Sequence, residues 1–208
     1  MDFITTIDEL REHIESQANV LPLVANKLEI IPGEGPQTAE IVFIGEAPGY
    51  HETVARKPFV GRSGQLFRSA LRDAGFAETD VFITNIVKAR PPENRDPLPY
   101  EIGAYAPFLD KEIELISPKL IVTLGRLSMA KFLPDVKISQ VHGRLHKVKW
   151  NEVSQFVLPM YHPAAALRAT QVKNSFLSDF GKINKIVQWI REQNSSALLT
   201  EAVTEYLF

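Results

Sequence analysis

Four short apolar runs, separated by longer stretches of helical periodicity, set the pattern of this chain. They are Ala39-Glu40-Ile41-Val42-Phe43-Ile44, Val81-Phe82-Ile83-Thr84-Asn85-Ile86-Val87, Leu120-Ile121-Val122-Thr123-Leu124-Gly125 and Gln155-Phe156-Val157-Leu158-Pro159-Met160. Short runs rich in β-branched and aromatic residues form buried strands. Between them the period lengthens. Thr6 and Glu9 make a capping box for a helix from Ile7 to about Ser16, with Leu10 and Ile14 on one face. From Gly64 to Ala74, Leu66, Phe67, Ala70 and Leu71 share one side, and Gly75 is the stop. A helix from about Tyr100 to Ile116 ends at Ser117-Pro118, and a short one passes through Leu127 and Phe132. Phe176, Phe180, Ile183, Val187 and Ile190, spaced by fours and threes, predict a long final helix. Ile138 to Trp150 alternates loosely around Gly143, as a hairpin does. Strands that alternate with helices imply an α/β fold with a parallel sheet covered on both faces.

The chain has 208 residues, about 45% of them hydrophobic, enough for one domain with a real core. We expect that domain to span 1–194, with 195–208 as a tail that packs on it. No run reaches membrane-spanning length, and the N-terminus lacks the basic-then-apolar pattern of a signal peptide. A cytoplasmic monomer with no membrane contact is the expectation. Cysteine is absent, which excludes disulfides, thiolate catalysis and cysteine-held metal. The net charge of −2 hides an asymmetry: from Arg126 to Arg191 there are eleven Lys/Arg against three acids. That half suits a polyanionic partner, although a solvated lysine-rich surface would look the same.

Three of the four runs end in residues that carry chemistry. The first leads into Gly45-Glu46-Ala47-Pro48-Gly49-Tyr50-His51-Glu52. The second leads through Asn85 to Lys88 and Arg90, and then to a stiff loop with Pro91, Pro92, Pro97 and Pro99. The fourth leads into Tyr161-His162-Pro163-Ala164-Ala165. Parallel strands place their carboxyl ends along one edge, where open α/β sheets bind ligands. No single segment is decisive; their convergence is. Neither a dinucleotide fingerprint nor a P-loop lysine motif is present, which weakens a nucleotide-binding reading.

The chain resembles the uracil-DNA glycosylase superfamily, and within it the family 4, thermophilic-type enzymes, from about Leu10 to Ile190. The resemblance rests on Gly45-Glu46-Ala47-Pro48-Gly49, on Lys57-Pro58-Phe59-Val60-Gly61-Arg62-Ser63-Gly64-Gln65-Leu66, on Asn85-Ile86-Val87-Lys88-Ala89-Arg90-Pro91-Pro92 and on His162-Pro163-Ala164-Ala165-Ala166-Leu167-Arg168, in that order. It implies a three-layer α/β/α sandwich around a four-stranded parallel sheet, and removal of uracil from single- or double-stranded DNA. Glu46 then matches the motif acid that positions water, and His162 the donor to uracil O2. Phe59 becomes the ring that stacks on the flipped base. Asn85 can donate to O4 and accept from N3–H, a pairing that cytosine cannot match. Gly45 and Ala47 belong to the uracil-binding motif. Glu52 either crowds C5 against thymine or orders its loop, and Tyr50 is the other candidate for that exclusion.

The DNA contacts implied are Ser63 and Gly64 at a helix start, Lys88, Arg90 and Arg95 as phosphate partners, and Leu167 with Arg168 as a minor-groove wedge. Two features depart from the family. Tyr50 and His51 stand where acidic residues are common, which leaves a broadened base range open. The four positions that hold an iron–sulfur cluster correspond to Ala18, Leu21, Ala89 and Tyr105, so no cluster and no catalytic metal are expected. Leu21 and Tyr105 are the expected fillers of that space. A non-catalytic DNA-binding or damage-sensing module on the same fold is the rival reading. The closing Glu205-Tyr206-Leu207-Phe208 is similar to short peptides that dock on a bacterial sliding clamp.

Overall fold

The computed structural model describes Met1 and residues 3–193. A five-stranded sheet runs through its middle in the order β2-β1-β3-β5-β4. Strands β1 (Ile41–Gly45), β2 (Val81–Asn85), β3 (Leu120–Leu124) and β5 (Val153–Met160) are mutually parallel, and β4 (His146–Trp150) is antiparallel on one edge. The four-stranded parallel sheet is therefore present, with a fifth strand added. That strand comes from the 138–150 stretch. Ile138–Val141 forms a single helical turn, and His146–Trp150 pairs with β5 through a two-residue turn at Asn151-Glu152. Both turn residues have positive φ, 45° and 64°, the sense that matches strand twist in tight hairpins.

Alternation along each central strand sorts side chains onto two faces. Val42, Ile44, Phe82, Ile121 and Val157 face α1 (Ile7–Ser16) and α4 (Pro99–Ile116), meeting Leu10, Ile14, Tyr105, Leu109 and Ile113. Ile41, Phe43, Ile83, Val122 and Leu158 face Phe67 and Leu71 of α3 (Arg62–Asp73) and Phe176 and Phe180 of α8 (Thr170–Phe180). The long C-terminal helix that the spacing predicts is two helices, α8 and α9 (residues 183–193), broken at Gly181-Lys182. Ile183, Val187 and Ile190 nevertheless lie in the same core, because the break preserves their phase. The helix at Ile7 starts as expected, with Thr6 and Glu9 capping each other. Residues 195–208 and the clamp-like ending fall outside the described residues.

Three small helices follow strand ends and shape the site: α2 (Tyr50–Ala55) after β1, α5 (Arg126–Ala130) after β3, and α7 (Pro163–Ala166) after β5. Between α5 and β4 lies α6 (Ile138–Val141). The free edge of β2 is covered by residues 31–34, where Glu34 exchanges two backbone hydrogen bonds with Ile83.

Candidate active site

The four parallel strands deliver their carboxyl ends to one edge of the sheet, and a cavity of about 630 Å³ opens there. Glu46, Phe59, Asn85 and His162, drawn from four separate segments, all line it. Ala47, Glu52, Ser63, Arg95 and Arg168 line it as well.

Glu46 sits just past β1. Its carbonyl accepts from Val87 N, while Gly45 O accepts from Ile86 N, so the two strand ends are tied together. Its carboxylate Oε1 accepts from Leu127 N at the start of α5 (3.3 Å). Burial pushes this carboxyl above the usual carboxylate range; nearby Asp96 adds to the effect, and the Leu127 amide and Arg126 oppose it. Gly125 makes the arrangement possible. It has φ +106°, and a side chain there would put Cβ 2.4 Å from Glu46 Oε1 and 3.2 Å from His162 Cβ. The acid and the imidazole thus flank one glycine.

His162 caps α7. Ala164 N–H donates to its Nδ1 (3.1 Å), which puts the proton of the neutral imidazole on Nε2. Burial, with help from Arg168, depresses its pKa to about 4. At neutral pH this histidine is an uncharged donor.

The Phe59 ring packs 6.0 Å from the His162 ring and 4.9 Å from Phe67. Its backbone is left-handed (φ +54°), an uncommon conformation for a bulky residue that its surroundings must hold. Arg68 does so from α3, donating from Nε to Phe59 O (2.9 Å) and from Nη2 to Pro58 O (2.8 Å). Arg68 is itself clasped by Glu34 and Glu78. Gly64 lies so close that a Cβ would fall 2.0 Å from the Phe59 carbonyl carbon. From the other side, Glu52 Oε1 accepts from Val60 N (2.9 Å) and Gly61 N (2.8 Å), and its Oε2 accepts from Gly49 N (3.1 Å). Both carboxylate oxygens of Glu52 are spent on backbone, so of its two expected roles the geometry fits loop ordering. Gly45 supplies space rather than contact: a Cβ there would meet Asn85 Oδ1 at 2.3 Å and the Phe59 ring at 2.5 Å.

Other expected residues lie elsewhere. Lys88 is a correction: it is only 1% exposed and its ammonium meets Glu112 Oε2 at 2.6 Å beneath α1, so it cannot reach a phosphate. The polar partners Thr84 and Glu112 on the sheet and α4 drew it inward, which its place in a loop motif does not reveal. Tyr50 lies outside the cavity, with its ring largely exposed. Gly64 shapes the Phe59 loop instead of lining the cavity. Arg95 reaches the rim, but Glu101 already holds its guanidinium through two bonds (2.6 and 2.8 Å) and is itself held down to about 2 by that pairing. Arg90 donates to Asn94 (2.8 Å), and Leu167 is exposed just after α7. Sequence reasoning missed Gly125, Arg126, Asp96, Tyr161 and Arg68. The abrupt Leu124-Gly125-Arg126 ending of the third apolar run was a usable signal for the first two. Arg68 is an ordinary helix residue by spacing and gave none.

The four positions that the resemblance to family 4 enzymes assigns to cluster ligands are filled with apolar matter. Ala89 and Tyr105 are fully buried, and Ala18 and Leu21 pack against the same cluster. The Tyr105 hydroxyl donates to Pro22 O (2.7 Å). These residues offer no thiolate and their volume occupies the space, so they do not fit an iron–sulfur cluster. Among the described residues no group of His, Asp and Glu has the arrangement of a metal site, and no helix is long and apolar enough to cross a membrane.

The sequence profile of the uracil DNA glycosylase superfamily matches residues 32–188, and the chain belongs to that family. It is similar to the Type-4 uracil-DNA glycosylase of Sulfurisphaera tokodaii, at 43% identity over 75% of this chain and 74% of that one. The Type-4 uracil-DNA glycosylase of Archaeoglobus fulgidus is 41% identical over 77% of this chain and 83% of its own length. That of Thermotoga maritima is 36% identical over 88% and 97%.

Proposed function

We propose that the protein is a monofunctional uracil-DNA glycosylase acting in base excision repair. It hydrolyses the bond between uracil N1 and deoxyribose C1′ in a nucleotide flipped out of DNA, and leaves an abasic site. The observation that carries this reading is the meeting of a half-buried carboxylate and a neutral histidine across Gly125, in a cavity walled by a ring and an amide.

When the N1–C1′ bond breaks, its electron pair leaves with uracil and positive charge grows on the sugar. Glu46, ionised, stabilises that cation and holds the water that attacks C1′, accepting its proton. The Nε2–H of His162 donates to O2 as negative charge develops on the base. A neutral donor with a proton already in place needs no reorganisation at that moment. Phe59 stacks on the base, held in its strained backbone by Arg68 and Glu52. Asn85 reads the edge, donating to O4 and accepting from N3–H; cytosine presents a donor and an acceptor in the opposite order. Ser63, Arg126 and Arg168, which line the cavity, and Leu167, exposed just after α7, are assigned to the DNA strand in this reading.

A non-catalytic sensor would have no use for a water-holding acid set beside the leaving-group donor. The decisive assay uses labelled single- and double-stranded DNA with one uracil, incubated with the protein and then treated with alkali. Strand breaks at the uracil, and none with cytosine or thymine there, are the expected result. Binding without breaks would give the protein to the sensor class.

A further inference from the structure

Tyr50 stands just outside the slot in an arrangement that a surface tyrosine does not ordinarily have. It opens α2 directly after Gly49, which lines the cavity, yet it does not itself line that cavity and is 57% exposed. The Arg90 guanidinium lies over the ring, 5.4 Å from its centroid, within cation–π range. Arg90 is fixed in turn, because its Nε donates to Asn94 Oδ1 (2.8 Å) and Asn94 lines the slot. Glu93 and Asn94 both have left-handed backbones, at φ 56° and 55°, so the turn that positions Arg90 is held in an uncommon shape. His51 meets the ring in an edge contact at 5.5 Å. The ring is therefore pre-oriented by a cation and an edge neighbour, while more than half of the residue remains open to solvent.

Such a surface suits a nucleobase and the phosphate beside it. Aromatic rings at the rim of a positively charged groove stack nucleobases without regard to sequence, and an arginine beside them adds charge for the backbone. Arg90 commits only Nε to Asn94, which leaves the outer nitrogens for a phosphate. We propose that Tyr50, backed by Arg90, is a stacking platform for the nucleobase adjacent to the flipped uracil, an inference that rests on the glycosylase reading of the slot. Uracil enters the cavity, the phosphodiester chain crosses the mouth, and the neighbouring base lies on the Tyr50 ring instead of on its lost partner. Tyr50 thereby takes a different role from the exclusion of thymine.

The test uses the whole protein and single-stranded oligonucleotides in which a tetrahydrofuran abasic analogue replaces the uracil nucleotide and 2-aminopurine stands on its 5′ or 3′ side. Stacking on the ring quenches 2-aminopurine fluorescence. Wild-type protein should quench the probe on one flank, and Tyr50→Phe should retain the signal. Tyr50→Ala should abolish it and weaken binding roughly tenfold. Quenching at neither flank, or quenching and affinity that survive Tyr50→Ala, overturns the proposal. Failure of the glycosylase reading appears separately, as wild-type protein that releases no uracil from a cleavable strand.

Discussion

Two buried regions of the molecule are built on opposite terms. In the slot, half-buried polar groups line a cavity and have few partners. Glu46 accepts from the Leu127 amide, and His162 takes one backbone hydrogen bond at Nδ1; both line the cavity. Both groups are pushed toward their neutral forms by burial. Between α1, the 17–24 turn and α4, the positions that correspond to cluster ligands carry Ala18, Leu21, Ala89 and Tyr105, and the one polar atom among their side chains, the Tyr105 hydroxyl, is satisfied by Pro22. Apolar packing can replace a cross-link, because all that region must supply is volume and attachment. No packing can replace a proton donor or an acceptor aimed at a substrate.

The comparison is sharpest where the two regions are mutated. Glu46→Gln and His162→Ala should each lower single-turnover release of uracil by roughly two to three orders of magnitude, the cost of removing one acid–base or anion-stabilising group. Glu46→Gln should leave stability unchanged, whereas His162→Ala also removes the cap of α7 and should cost about 1 kcal/mol; unfolding in urea checks both. Full activity in both variants would break the mechanism.

Tyr105→Ala should show the reverse. A fully buried aromatic is lost, at about 3–5 kcal/mol. Tyr105→Phe should cost only about 1–3 kcal/mol, because it leaves Pro22 O unsatisfied. Activity per folded molecule should stay at the wild-type level in Tyr105→Phe. A large loss of rate there would mean that the two regions are coupled and the contrast is false.

Much of this contrast was legible in the sequence. The apolar runs located the four parallel strands, and parallel topology then required Glu46, Asn85 and His162 to converge. Leu21 and Tyr105 were identifiable as filler because they are large where the resemblance to family 4 enzymes implies cysteine. What sequence could not supply was direction. Lys88 and Arg90 are two apart in one loop, yet Lys88 turns inward to Glu112 and Arg90 outward to Tyr50. Local spacing holds no trace of that choice, which depends on partners 24 and 40 positions away. The edge strand His146–Trp150 lies inside the stretch expected to form a hairpin about Gly143, but its partner is β5, because Ile138–Val141 coils into a helical turn and the reversal falls at Asn151-Glu152. Gly181 was passed over because the apolar phase continues across the break between α8 and α9.

Acid should single out His162 among the groups that line the slot. The folded pKa of His162 is about 4 against 6.5 when unfolded. Below 6.5 the unfolded chain takes up a proton that the folded site refuses, so stability falls as the pH drops from about 6.5 to about 4. The full loss from this one residue is roughly 3 kcal/mol. His162→Asn should lose correspondingly less stability between pH 7 and pH 4 in urea titrations. Equal losses in the two proteins would show that the imidazole is not held neutral by its surroundings.

The smallest effect concerns the acid limb of activity. Glu46 must be ionised to work, and its pKa is raised, so the rate should fall with decreasing pH at a point above that of an ordinary carboxylate, while His162 remains neutral throughout that range. Asp96 contributes to the raised pKa from the rim, where it pairs with Arg126. Asp96→Asn removes one negative charge near Glu46 and should move the limb to lower pH. Both rim residues are well exposed, so salt screens their influence and the displacement should be larger at low ionic strength than at high. Burial, the main cause of the shift, is indifferent to salt, and most of the elevation should survive in the variant. A limb that does not move at low salt would assign the whole elevation to burial; a limb that falls to the ordinary carboxylate range would make the rim charge, rather than the slot, the principal control on the catalytic acid.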